Sequence, residues 1–260
     1  MFIGFDIGNT HIRCGFFTDT DYPDEIYSAD TACVTNEDDL VRCIESWLCA
    51  YREKKQLSVP IDGAVYSSVV PRLNEPVDSV LRQRYNITAV SVSSDAPHGF
   101  EIHYKNPAML GADRITNAAA VFESFEGKDC IVVDIGTAIT FCVLLKERIF
   151  DGGIIAPGFG ISADALERHT SQLFRTAVAP LPSIVGRSTE EGIQSGIFFG
   201  GAAMINGLIR GIEKEYGHGF TVILTGGGAG MVKPFIDKET FYEPQLTMKG
   251  LALIYRRSNK

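Results

Sequence analysis

Residues 2–10 read FIGFDIGNT and residues 132–140 read VVDIGTAIT, so the chain states Asp-Ile-Gly at the end of an apolar run twice, at Asp6 before Asn-Thr and at Asp134 before Thr-Ala. In each copy a β-like apolar run delivers the Asp to its end. The Gly then permits a tight turn with backbone close to a ligand, and polar residues precede a second run. Successive backbone N–H groups in such a turn form an anion-binding concavity. One copy alone is what many ordinary hairpin turns look like. Two copies heading two similar halves predict two hairpins facing one polyphosphate, with one carboxylate serving the hydrated metal that nucleoside triphosphates carry. The motif differs from a Walker loop, because G-x-x-x-x-G-K-[ST] is absent from the sequence and a strand follows the turn.

Working outward, FIGFDIG, HIRCGFFT and EIYSAD predict an antiparallel meander. In TNEDDLVRCIESWLCAYREKKQ the residues Leu40, Ile44, Trp47, Leu48 and Tyr51 recur at helical spacing, and Thr35 with Asp38 is the expected capping box. GAVYSSVV, LNEPVDSVLRQRY and ITAVSV complete a β-β-β-α-β-α-β order. The second half repeats it from residue 130, with strands at CIVVDIG, AITFCVLLK and IFDGGIIAPG. A long helix at STEEGIQSGIFFGGAAMINGLIRGIEKEYG, a strand at FTVILTGG, a short helix at GMVKPFI and a last helix at TMKGLALIYRR follow. The expected class is α/β, duplicated, with domains at 1–117 and 118–260. Residues 93–114, SSDAPHGFEIHYKNPAMLGADR, lack periodicity, and a loop of that length is expected to carry substrate contacts.

Composition sets limits on function. The chain has 260 residues, 45% hydrophobic and 22% charged, enough for one large or two compact domains. A net charge of −8 argues against an extended nucleic-acid footprint, so a nucleotide would be held locally. Cys14, Cys33, Cys43, Cys49, Cys130 and Cys142 form no C-x-x-C pair and read as reduced thiols. No basic segment followed by an apolar one opens the sequence. The best apolar run, CIVVDIGTAITFCVLL, holds Asp134 and is shorter than the roughly 20 residues of a membrane span. A cytoplasmic protein without membrane partners is expected.

Further candidates lie elsewhere. In LTGGGAG, residues 224–230, glycines between a strand and a helix let a flat base or ribose lie against backbone at Gly226 and Gly227. Asp113 in GADR stands near a helix start with Arg114 beside it, and both neighbours are expected to keep the carboxylate ionised. An ionised carboxylate can orient or deprotonate an attacking hydroxyl; the alternative is that Asp113 only caps the helix. His11 either touches a nucleotide or is a partly exposed strand histidine. TDTDYPDE reads as a solvated turn, and GIFFGGAAMINGLI as a packed helix face or subunit interface.

Two hairpins and a glycine turn in the second half resemble the superfamily of acetate and sugar kinases, actin and the chaperone ATPases. That superfamily is built from two ribonuclease-H-like domains with a cleft between them. Within it the chain resembles type III pantothenate kinase through ordered blocks: DIGNT (6–10), SSVVP (67–71), YKNPAMLGADR (104–114), DIGTAIT (134–140), GGIIAPG (152–158), GRSTEEGIQSG (186–196) and TGGGA (225–229). The resemblance implies phosphorylation of the primary hydroxyl of pantothenate by ATP with Mg2+, toward coenzyme A. It implies that Asp6, Ile7, Gly8, Asn9, Thr10, His11, Ile12 and Arg13 form the first phosphate loop and that Thr137 contacts ATP from the second. Asp134 corresponds to the ligand of a monovalent cation, K+ or NH4+. Tyr104, Gly111, Ala112, Asp113, Arg114 and Thr189 match pantothenate-binding positions, Asp113 matches the base, and a homodimer is implied.

Two departures stand out. Cys142 occupies a position where the family has an Asp, and a thiol is a poor ligand for a hard cation. ERHTSQLF departs from the family's alanine-rich stretch. The rival readings are another small-molecule kinase of the same fold and a catalytically silent ATP-binding regulatory protein. The GADR block and Tyr104 favour a kinase, since a regulator needs no hydroxyl base.

Overall fold

The computed structural model describes residues 1–56 and 60–259. Strands β1 (Phe2–Ile7), β2 (His11–Phe17) and β3 (Glu25–Asp30) form the expected antiparallel meander, and β4 (Gly63–Ser68) and β5 (Val90–Ser91) add in parallel on the other side of β1. The sheet order is β3-β2-β1-β4-β5. Strand alternation sends Ile3, Phe5 and Ile7 to one face, where they meet Leu40, Ile44 and Trp47 of α1 (Glu37–Lys55) and Val77 and Leu81 of α2 (Asn74–Tyr85). Each such side chain contributes on the order of 1.5–3 kcal/mol by leaving water.

Helix α1 starts one residue later than the capping box at Thr35 and Asp38 requires. The cap is Asn36, whose side chain accepts from the Asp39 N–H at 3.0 Å, while Thr35 donates to the Asp39 carboxylate through N at 2.9 Å and Oγ1 at 2.7 Å. Asn caps as well as Thr, and here Asp39 serves Thr35 from inside the first turn. The irregular segment contains only a short β6 (Glu101–Ile102) and a 3-10 turn at Pro107–Met109 before α3 (Ala112–Ser124).

The second unit repeats the plan. Strands β7 (Cys130–Ile135), β8 (Ala138–Leu145) and β9 (Ile149–Pro157) are a meander, and β10 (Thr221–Thr225) and β11 (Thr240–Tyr242) add in parallel beside β7. Read from the other end, β9-β8-β7-β10-β11 repeats β3-β2-β1-β4-β5 of the first sheet, strand for strand. Strand β11 has no counterpart among the sequence expectations. Ile131, Val133, Ile135 and Phe141 face α4 (Phe159–His169) and α5 (Thr189–Tyr216), which supply Phe159, Ile197, Phe198 and Ile205; α6 (Ala229–Val232) follows β10.

Ser188 caps α5 by accepting from the Glu191 N–H at 3.2 Å, and Gly217 at φ 75° ends it. By length and composition α5 is long and apolar enough to cross a membrane. However, 39% of its most apolar window is buried in the fold, and Ile193, Ile197, Phe198, Ile205 and Ile209 pack in the core.

The chain divides into two compact units, Met1–Ser124 with the segment from Gln245 on, and Phe125–Pro244. The break therefore falls after Ser124 rather than after residue 117, because α3 continues as one buried helix to that point. The last helix, α7 (Leu246–Ser258), belongs to the first unit and not to the second half that precedes it. It packs beside α3 and over β1 and β2, where two glycines leave it room: a Cβ on Gly15 would lie 3.0 Å from Met248 Sδ, and one on Gly4 3.4 Å from Leu251 Cδ1. Thr247 Oγ1 donates to Asn117 Oδ1 at 2.8 Å.

Gly250 brings α7 so close to α3 that a Cβ there would overlap the Thr116 carbonyl oxygen. Gly250→Ala should therefore cost about 1–3 kcal/mol by forcing the two helices apart. Urea unfolding followed through Trp47, the single tryptophan and a core residue of the first unit, should show a lower midpoint at unchanged slope.

Candidate active site

The first hairpin closes between β1 and β2, with Asp6 opposite Arg13 and Ile7 opposite Ile12. The Gly8 N–H donates to the His11 carbonyl at 2.9 Å, leaving Asn9 and Thr10 exposed at the tip. Asp6 is half-buried on the sheet face away from the Ile3–Phe5–Ile7 core. In the parallel register its neighbour on that face is Ser67 of β4, whose buried Oγ has no hydrogen-bond partner among the described residues. An orphaned hydroxyl beside a carboxylate fits a site completed by a hydrated Mg2+, which takes one or two protein oxygens and borrows the rest from phosphate and water. His11 is half-exposed, with Nε2 3.4 Å from Asp30 Oδ1, and such exposed pairs contribute little.

The second hairpin is tighter. Ile135 pairs with Ile139, Gly136 N–H donates to the Ala138 carbonyl at 3.0 Å, and Gly136 and Thr137 are exposed. Two other segments close on it by backbone. Gly158, after β9, donates its N–H to the Thr137 carbonyl at 3.1 Å, and Gly228, after β10, donates to the Ile135 carbonyl at 2.9 Å. A Cβ on Gly158 would overlap the Thr137 carbonyl oxygen, and one on Gly226 would overlap Asp134 Oδ1. The glycine turn of Gly226 and Gly227 is thus pressed against the Asp134 hairpin.

Asp134 is flanked by Thr140 across β8 and Thr225 across β10, a set of hard oxygens that fits an alkali or ammonium ion. Cys142, opposite Val132, is buried on the same face and adds no oxygen. Among the described residues no group of three or more His, Cys, Asp or Glu forms a metal cage of protein ligands alone. The cysteines are all free thiols.

Asp113 and Arg114 open α3. The Gly111 carbonyl accepts from the N–H groups of Arg114 and Ile115, each at 3.1 Å, so the cap position belongs to Gly111 and not to Asp113. Asp113 Oδ1 instead accepts from the Arg114 N–H at 2.8 Å. Arg114 is only 4% exposed; its Nη1 donates to the Tyr104 hydroxyl at 3.4 Å and its guanidinium carbon lies 5.8 Å from the Tyr104 ring centre. Arg114 does favour the ionised form of Asp113, as expected, but a stronger influence opposes it. Burial pushes its carboxyl above the ordinary range and outweighs the Arg114 N–H and guanidinium that pull it down.

Val69 stands between the base of the first hairpin and Gly111, at the start of α3. The Val69 N–H donates to the Ile7 carbonyl at 3.0 Å, and its Cγ1 would lie 3.9 Å from a Cβ on Gly111. In the second unit Asp134, Thr137, Gly226 and Gly227 come together, while Thr189 sits exposed on the first turn of α5. A cavity of about 370 Å3 lies between α4 and α5, lined by Ile139, Phe159, Gly192, Ile193 and Gly196 among others. With no ionisable side chain, that lining sets up no phosphoryl chemistry.

Two sheets of one order, each opening on a hairpin that ends in Asp, define the actin-like ATPase fold, built from duplicated ribonuclease-H-like units. The activator of 2-hydroxyisocaproyl-CoA dehydratase from Clostridium difficile, solved with bound ADPNP, shares this fold at TM-score 0.56 and 16% identity over 99% of this chain and 96% of its own. The ROK hexokinase of Thermus thermophilus shares it at TM-score 0.54 and 13% identity over 99% and 98%. Sequence narrows the class: the type III pantothenate kinase profile matches residues 2–211. The type III pantothenate kinase of Exiguobacterium sp. AT1b is 32% identical over the full length of both chains, and that of Roseiflexus sp. RS-1 is 35% identical over 98% of each. That of Legionella pneumophila strain Corby is 34% identical over 97% of each. The chain belongs to the type III pantothenate kinase family, and it is a kinase.

Sequence reasoning missed Ser67 as a neighbour of Asp6, although the SSVVP block that contains it was visible. It also missed Thr31, which reaches the first hairpin from beyond β3. For the second hairpin the test is Gly226, at φ 88° and against Asp134. Gly226→Ala adds both left-handed strain and a clash, and calorimetric titration with ATP and Mg2+ should show affinity reduced about tenfold or more, with the far-ultraviolet circular dichroism unchanged.

Proposed function

We propose that this protein transfers the γ-phosphoryl group of ATP to the primary hydroxyl of pantothenate, giving 4'-phosphopantothenate, the first step of coenzyme A biosynthesis. The observation that carries this reading is the Asp113–Arg114 pair at the head of α3, in a chain that matches its family end to end. A guanidinium is charged at every working pH, and Arg114, buried and lying over Tyr104, is suited to a substrate carboxylate. Pantothenate has one carboxylate and one primary hydroxyl. Asp113 beside that clamp accepts the hydroxyl proton, and a carboxyl raised by burial is a stronger acceptor near neutral pH than an ordinary one. Gly111, Ala112 and Thr189 complete the pantothenate contacts in this reading.

Phosphoryl transfer asks a protein mainly for positioning and charge neutralisation. Backbone N–H groups along Asp6 to Arg13 hold the phosphates from one hairpin, and Thr137 holds them from the other. Gly226 and Gly227 lie against the adenosine. Mg2+, when bound beside Asp6 and Ser67, supplies positive charge to the phosphate oxygens. A monovalent cation, K+ or NH4+, belongs beside Asp134. We assign the protein to the cytoplasm, as a homodimer that engages neither nucleic acid nor membrane.

ADP release from purified protein with ATP, Mg2+ and K+ or NH4+ should depend on pantothenate. Asp113→Asn should lower kcat about 10²–10⁴ fold. Because the folded pKa of Asp113 is raised, its charged form costs stability as pH rises from the unfolded toward the folded value, and that cost persists at neutral pH. The Asn variant should therefore melt at the same temperature or higher while losing turnover. Wild-type kcat should fall as pH drops through the raised pKa, a limb absent from the residual rate of the variant. ADP release indifferent to pantothenate, with ATP still bound, would overturn the assignment in favour of another acceptor or a silent regulator.

A further inference from the structure

The first phosphate turn is braced from behind by a residue that the reaction itself does not use. Thr31, buried at 2% exposure, begins the 3-10 turn Thr31–Cys33 that follows β3. Its Oγ1 donates to the Gly8 carbonyl at 2.6 Å and its backbone N–H donates to the Thr10 carbonyl at 2.9 Å. One residue thus takes hold of two alternate carbonyls in the turn. The carbonyls on either side are also occupied, Ile7 by the Val69 N–H at 3.0 Å and His11 by the Gly8 N–H at 2.9 Å.

These bonds fix the polarity of the turn. All peptides in the described chain are trans, so each N–H points opposite to the carbonyl of the same peptide. With the Gly8 and Thr10 carbonyls drawn toward Thr31, the N–H groups of Asn9 and His11 are aimed to the other side of the turn. An anion approaching that side meets donors, and the lone pairs that would repel it are turned away. Donors fixed before the ligand arrives need no reorganisation when it does.

Thr31 is itself held. Arg72, the residue immediately after the SSVVP block, donates from Nη2 to the Thr31 carbonyl at 3.1 Å and from Nη1 to the Val34 carbonyl at 2.8 Å. Its planar fork therefore spans the whole 3-10 turn, and a single point charge such as Lys cannot reproduce both bonds. The chain of donors runs from Arg72 to Thr31 to the phosphate turn. We infer that Thr31, locked by Arg72, is the positioning residue of the first phosphate turn and sets the grip of this chain on the polyphosphate of ATP. The inference rests on the kinase reading for its substrate, although the polarity of the turn does not.

The experiment compares Thr31→Val, which keeps the branched shape and removes the hydroxyl, with Thr31→Ser, which keeps the hydroxyl. Thr31→Val should lose about ten- to a hundredfold in kcat/KM for ATP, because small misplacement of a positioned group costs that much, with KM for pantothenate unchanged within about twofold. Thr31→Ser should restore most of the loss, and Arg72→Met should show a smaller loss in the same ATP-selective direction. Wild-type ATP parameters in Thr31→Val, or equal losses toward both substrates, would overturn the inference. Should Thr31→Val lose its cooperative melt, Arg72→Met decides by the same criterion. If wild-type protein releases no ADP in response to pantothenate, the kinase reading fails. Calorimetric affinities of these variants for ATP with Mg2+ then decide the positioning role, weaker binding in Thr31→Val supporting it and equal binding overturning it.

Discussion

Backbone approaching backbone more closely than any side chain allows is the constraint on which the second unit depends. Gly158, Gly226 and Gly228 each meet the Asp134 hairpin at distances a Cβ would forbid, and two of them hydrogen-bond to its carbonyls. Sheet order follows from the same requirement. Strand β10 must lie parallel to β7 for the glycine turn to emerge beside Asp134, and β9 must end where Gly158 can reach Thr137. The cost is conformational freedom surrendered by several glycines on folding, which the buried aliphatic and aromatic core beneath the hairpin offsets.

The two units hold their turns by matching main-chain bonds and differ in what is added to them. Both present a turn between antiparallel strands with Asp at the end of the first strand, and both sheets share a single order. In the second unit the turn is buttressed by main chain at glycines. In the first the main-chain N–H groups of Thr31 and Val69 make the corresponding bonds, and the Thr31 hydroxyl, with the Arg72 fork behind it, is added to them. Duplication conserves the strands and these main-chain bonds, while the side chains behind each turn are free to differ.

What could be read in the sequence was whatever is local. Strand alternation exposed both meanders, helical spacing exposed α1, and the repeated Asp-Ile-Gly exposed both hairpins. Asn36 displaced the Thr35 cap because Asn and Thr compete nearly equally and the winner depends on how Asp39 is shared. The short β11, the return of α7 to the first unit and the break after Ser124 depend on packing between distant segments, which periodicity does not encode. Asp113 was singled out by its motif, but the burial that raises its carboxyl was not visible, since burial cannot be read from adjacent charges. Thr31 carried no signal in the sequence, because its partners lie on the far side of β2 and β3.

The return of α7 also separates the order of synthesis from the order of folding. The second unit, Phe125–Pro244, is continuous in sequence and has all its strands once residue 244 has been made. The first unit, although translated earlier, lacks the helix that covers Gly4 and Gly15 and packs on α3 until the final segment follows. The later unit therefore needs no segment beyond residue 244, while the sheet face of the earlier one stays open to water until α7 docks on it. A chain cut after residue 244 would carry a finished half and an unfinished one, with the unfinished half nearer its N-terminus.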